Sequence, residues 1–118
     1  MAINVNDPSQ HPEDSPEHMA MYAKKFNYPF IYLYDESQNT AKHLGATCTP
    51  DFFVFDYKKR LKYHGRMDRS TPKNQIQNNG EDLQQAIDYV IDNPEGPALK
   101  EEKSSIGCSI KWKINHQL

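Results

Sequence analysis

Cysteine is scarce in this 118-residue sequence: Cys48 and Cys108 stand alone, sixty positions apart. Two thiols so placed make neither a disulfide framework nor a zinc-ligand pattern. Charge of one sign is lacking too. Fourteen Lys and Arg against sixteen Asp and Glu leave a formal charge of −2. There is no basic stripe, so no nucleic-acid partner is expected. No apolar run approaches the ~18 residues of a membrane span, and no apolar signal core follows Met1, so no membrane partner is expected. A cytoplasmic, reducing compartment is the default. Apolar residues make up only 36% of the chain, below the ~45–50% usual for a globular domain when glycine is counted. Polar loops and a polar tail account for part of that dilution. The length suits one domain with one core.

What is present centres on Gly45 to Asp56, GATCTPDFFVFD. Phe52-Phe53-Val54-Phe55 has the length and composition of a strand buried on both faces. Pro50 removes an N–H and biases Thr49 away from helix, which marks the strand's entry. Asp56 to Arg60 is a polar break. Leu61-Lys62-Tyr63-His64-Gly65 then alternates apolar and polar, as a half-exposed hairpin partner does. Cys48 lies two residues before the proline.

Earlier in the chain, Ala2-Ile3-Asn4-Val5 is strand-like and begins directly after Met1. That abrupt start is the expectation of a sequence missing upstream; a natural terminal edge strand is the other reading. Asn6 to Ser15 is dense in turn formers and reads as a solvated connector. Its acids Glu13 and Asp14, with Glu17, lack ligand spacing, so no metal and no cofactor are expected. Ser15-Pro16-Glu17 opens a helix by cap, first-turn proline and early acid. Met19, Tyr22, Ala23 and Phe26 share its inner face. Phe30 to Tyr34 is a second strand. Ser37 to Leu44 is a short helix stopped by Gly45, with His43 complementing the dipole at its end.

Arg66 to Asn79 has no periodicity and reads as a long loop. Gly80 to Asn93 is the strongest helix, with Leu83, Ala86, Ile87, Val90 and Ile91 inward and Glu81, Asp82, Gln84, Gln85 and Asp88 outward. Residues 98–118 form a polar tail without helix. Its apolar patch, Ile106, Ile110, Trp112 and Ile114, is expected to dock on the domain of residues 1–97. Strands that alternate with helices need right-handed crossovers and make parallel pairs, and the hairpin adds an antiparallel one. The fold class is therefore α/β with a mixed sheet.

That order resembles the thioredoxin superfamily after its first βα unit. Five blocks carry a closer likeness: Ile3-Asn4-Val5-Asn6-Asp7, Pro12-Glu13-Asp14-Ser15-Pro16-Glu17, Tyr32-Leu33-Tyr34-Asp35-Glu36, Cys48 through Asp56, and Ser105 through Trp112. Together they resemble alkyl hydroperoxide reductase/thiol-specific antioxidant proteins, a peroxiredoxin-like branch, over roughly residues 2–113. The resemblance implies a thioredoxin-like mixed sheet with flanking helices, here truncated at its N-terminus and lacking a central strand. It implies a thiol-based antioxidant or thiol–disulfide oxidoreductase whose substrate is a protein thiol or disulfide, or a peroxide.

Carried over by position, the resemblance makes Pro50 the superfamily's cis-proline and gives the Thr49 backbone the task of pairing with an extended substrate. The family's nucleophilic cysteines sit where a helix start lowers a thiol's pKa. This chain has no Cys-x-x-Cys, so no catalytic residue is assigned; the candidate thiols are Cys48 and Cys108. Cys48 borders the implied redox pocket, and Cys108 on the tail is placed to reach it. The plainer reading makes Cys48 a small, partly buried residue and Cys108 a packing residue. Lys62, His64 and Arg66 receive no role. The alternative function is a non-catalytic binding module that pairs a partner strand with the Thr49-Pro50 edge. Self-association is expected from an uncovered apolar sheet face.

Overall fold

The computed structural model describes residues 1–101 and 103–114. Position 102 and the last four residues of the expected tail lie outside the described residues. Contacts divide the chain into two units: Met1–Thr47 together with the segment beginning at Ile110, and Cys48–Ser109. This division cuts across the one expected at residue 97, because the tail contributes to both units.

In the first unit, Ala2–Asn4 (β1) and Tyr32–Tyr34 (β2) pair in parallel, with Ile3 opposite Leu33. A parallel pair needs a crossover, and Pro16–Lys25 (α1) supplies it. The Ser15 hydroxyl accepts from the His18 N–H at 3.3 Å, so the helix begins where the sequence places its cap. Met19 is the buried residue of that helix. A ladder of neighbouring rings runs from His18 through Tyr22, Phe26, Tyr28 and Phe30 to Tyr32, with centroids 4.9–6.4 Å apart.

Asn39–Leu44 (α2) is stopped by Gly45 at φ 72°, a backbone region open to glycine at little cost. Its start is stapled by Asp35, whose carboxylate accepts from the Ser37 hydroxyl and the Thr40 N–H. Those bonds, the Ser37 hydroxyl first, hold the Asp35 carboxyl well below the usual range. The core is Val5, Ala41 and Ile110, with Ala46 against it. Gln38 is buried beside it. Its amide donates to the Val5 and Lys111 carbonyls at 2.8 and 2.9 Å and accepts from the Lys113 N–H at 3.0 Å. Buried amides need such partners. Of the apolar tail patch only Ile110 docks; Ile106, Trp112 and Ile114 are exposed.

In the second unit, Phe52–Phe55 (β4) and Leu61–Gly65 (β5) form the expected antiparallel hairpin, with Phe53 opposite His64 and Val54 opposite Tyr63. Asp56 closes its turn by accepting from the Lys58 and Arg60 amides and the Arg60 guanidinium, at 2.7–2.9 Å. Glu81–Asp92 (α3) packs on both strands. Tyr63 and Ala86 are the buried apolar residues here. The expectation that β4 is buried on both faces does not hold: its first three residues are half-buried and Phe55 is exposed. Among the described residues it pairs with β5 alone, so one edge carries no strand.

The expected single mixed sheet is likewise absent among the described residues. There are three two-stranded ladders, the third formed by Cys48–Thr49 (β3) and Cys108–Ser109 (β6). What stands is a mixed α/β arrangement of three α-helices with short parallel and antiparallel pairings. None of the described helices is long and apolar enough to cross a membrane.

The helical face assigned to α3 also needs correction. Asp82, expected outward, is 7% exposed, whereas Ile87 and Ile91, expected inward, are exposed. Ion pairs explain the first reversal: the Arg66 guanidinium lies 2.7 Å and the Lys103 ammonium 3.0 Å from its carboxylate.

The loop from Arg66 to Asn79 contains no helix or strand, as expected. Asp68 organises it: its carboxylate accepts from the Ser70 hydroxyl and N–H and from the Asn79 and Gly80 amides. These bonds, the Ser70 hydroxyl foremost and the Gly80 amide next, bring its carboxyl down to about 2 from an ordinary 3.8. A lowered folded value means the stabilisation is full above the unfolded value and disappears as pH falls through the folded one. Asp68→Asn is therefore expected to lower the thermal midpoint at neutral pH. The gap from wild type should close as pH drops from about 4 towards about 2. A gap unchanged across that window would show that the carboxylate charge contributes nothing.

Candidate functional site

β3 leads through Thr49-Pro50 into Asp51 and β4, and the Thr49–Pro50 bond is cis. The tail lies along this corner. β6 pairs antiparallel with β3, Cys48 opposite Ser109 and Thr49 opposite Cys108. The edge that the resemblance assigns to an extended substrate is thus occupied by the chain's own Cys108–Ser109.

Register decides what the two candidate thiols can do together. Residues directly opposite in a ladder share a face, and successive residues point to opposite faces. Cys48 shares a face with Ser109, and Cys108 with Thr49. The thiols therefore point to opposite faces of the ribbon. Of the two readings of these thiols, the one in which Cys108 reaches Cys48 is not met in this register, and both cysteines are free. Cys48 is half-buried and Cys108 exposed. The Cys48 thiol donates to the Ser105 carbonyl at 3.7 Å. Burial, and secondarily the nearby Asp51 charge, push its pKa up. A thiol so held is protonated at neutral pH and a poor nucleophile.

Asp51 is the hub that the sequence reading passed over. Its side chain is 7% exposed, and one carboxylate oxygen lies 2.7 Å from His64 Nε2. The other accepts the Ser105 hydroxyl. The hairpin places this dyad. Asp51 and Phe53 lie on one face by the two-residue period, and His64 sits opposite Phe53, so Asp51 is its diagonal neighbour. The His64 ring stacks on Phe53 with centroids 4.2 Å apart.

The other two residues left without a role are also explained. Lys62 donates to the Gly96 carbonyl at 2.6 Å, and Arg66 pairs with Asp82. A bulge at Lys62 breaks the alternation expected of β5, so that Lys62 is buried and Leu61 exposed; no local signal marks that bulge, Ser105 or Asp82. A cavity of about 130 Å³ lies elsewhere in this unit, lined by Asp82, Ala86, Tyr89, Leu99 and Lys103 among others. It holds no thiol.

Chemically the corner offers a strand edge, a protonated thiol and an Asp51–His64 pair, with no second sulfur on the Cys48 face.

No family model and no curated protein matches this chain. Solved structures do. An uncharacterized conserved protein from Geobacillus kaustophilus is 48% identical, with a TM-score of 0.87 over 96% of this chain and 59% of that one. A hypothetical protein from Sinorhizobium meliloti 1021 is 42% identical, with a TM-score of 0.88 over 96% of this chain and 61% of that one. The chain spans about three fifths of the length of these relatives.

Proposed function

We propose that these residues are the substrate-recognition part of a thiol-based antioxidant or thiol–disulfide oxidoreductase of the peroxiredoxin-like, thioredoxin-type branch. The reacting cysteine then belongs to polypeptide beyond the 118 residues. The observation that carries the reading is the Cys48–Asp51 corner, where a half-buried two-residue strand with an extended segment paired along it leads directly into the β4–β5 hairpin. Further support comes from the element order and the five sequence blocks, and from relatives whose chains are longer by about two fifths of their length. Substrate would be a protein disulfide or thiol, or a peroxide. Reaction would go by thiolate attack through a mixed disulfide or a sulfenic acid.

A second reading, a non-catalytic module that binds an extended segment, is favoured by β6 itself, which is such a segment already seated. Turnover assays separate the two. With peroxide or insulin disulfide as substrate, the 118-residue chain is expected to show no catalytic turnover, and Cys48→Ser and Cys108→Ser no further change. The longer relatives should turn over one of these substrates. Inactive relatives would favour the module. Turnover by the short chain that survives both serine changes would rule out thiol chemistry altogether.

A further inference from the structure

The tail is tied along the second unit at every few residues. The Leu99 N–H donates to the Lys62 carbonyl at 2.9 Å, and the Arg66 N–H to the Lys103 carbonyl at 2.8 Å. The Lys103 ammonium lies 3.0 Å from Asp82. Ser105 hydrogen-bonds Asp51, and Cys108–Ser109 add as a strand to Cys48–Thr49. At the middle of this run is Gly107. A Cβ there would lie 2.2 Å from the Thr49 carbonyl oxygen and 2.9 Å from its carbon. Both are backbone atoms that cannot swing away, so only glycine seats against Thr49.

We propose that the Cys48–Thr49 edge is a strand-addition site for an extended peptide with a hydroxyl residue two positions before a glycine, and that Ser105–Ser109 is its displaceable built-in occupant. The hydroxyl satisfies Asp51, the glycine clears the Thr49 carbonyl, and the ladder is indifferent to the side chain between them. Ile106, which stands between, is exposed. An occupant on the same chain acts at an effective concentration of about millimolar, so a peptide in solution competes poorly until the tail is unseated. The inference rests on the proposed recognition role of the Thr49 edge and adds its ligand pattern and its regulation.

The test uses the full chain and a fluorescein-labelled peptide copying residues 104–112, with serine in place of Cys108. Gly107→Ala blocks the chain's own tail while leaving the edge intact. Anisotropy is expected to show at least tenfold tighter peptide binding than in wild type. A peptide carrying alanine for Gly107 should bind neither protein. In a Cys108→Ser background, Cys48 should also alkylate at least tenfold faster, because Ser105 no longer covers it. Ser105→Ala, which removes only the Asp51 tether, serves if circular dichroism shows that the glycine variant is unfolded; its expected gain is smaller and in the same direction. Unchanged alkylation and binding in the folded variant overturn the built-in occupant. Faster alkylation without peptide binding overturns recognition at Thr49 while leaving the tail as a cover.

Discussion

Asp82→Ala is expected to lower the unfolding free energy by about 3 kcal/mol, the lower end of the range for breaking a buried ion pair. The carboxylate side chain is 8% exposed and neutralises two cations that are themselves only about a fifth to a quarter exposed. Removing it leaves both Arg66 and Lys103 without their counter-charge in a largely dry place. The lower end applies because both cations retain some water. Arg66→Ala or Lys103→Ala should each cost less, about 1 kcal/mol, because Asp82 keeps one partner. Their effects should not add, since the second loss strands the carboxylate.

Burial alone pushes the Asp82 carboxyl up; hydrogen bonds from Lys103 and Arg66 outweigh it and bring the pKa below its ordinary 3.8. The stabilisation is therefore present above about pH 4 and fades as pH falls through the lower folded value. Urea titrations at pH 7 and in acid check both points. A loss below about 0.5 kcal/mol at pH 7 would mean the triad is solvated, and the value is that of a surface pair.

Ile110→Ala should cost about 3 kcal/mol, as expected when a large aliphatic side chain is cut back in a core. Ile110 is 4% exposed and packs with Val5 and Ala41. Its N–H donates to the Thr47 carbonyl at 3.1 Å, which holds the side chain in place. The same change at Ile106 or Ile114, 58% and 60% exposed, should move stability by no more than about 0.5 kcal/mol. Denaturant midpoints for the three variants compare them directly. Equal losses at the three positions would show the patch docking as a whole. A negligible loss at Ile110 would show that the core does not depend on the tail.

These contrasts show where the residues alone were sufficient. Ser15-Pro16-Glu17 fixed the start of α1 because a cap is a matter of a few adjacent atoms. Gly45 fixed the end of α2, where its φ of 72° disfavours other residues. The hairpin followed from two short apolar runs around a polar break, although a bulge turns Lys62 inward and Leu61 outward against the expected alternation, and the loop of residues 66–79 from the lack of any period. At the candidate site, Cys48, Thr49 and Pro50 stood out by type. Asp51, Ser105 and Gly107 did not, because their importance comes from partners 13 and 54 positions away and from a backbone approach in space.

By itself, then, the sequence determined the short-range features of this protein: helix ends, the hairpin, the α/β class, and the absence of two thiols near each other in sequence. The tertiary structure decided which of four similar apolar tail residues is core and why a carboxylate on α3 points inward. It also put the two thiols on opposite faces and filled the Thr49 edge with the chain's own strand. Caps and turns depend on bonds among neighbouring residues. Burial, charge pairing and strand register depend on what distant chain brings alongside, and no local pattern encodes that.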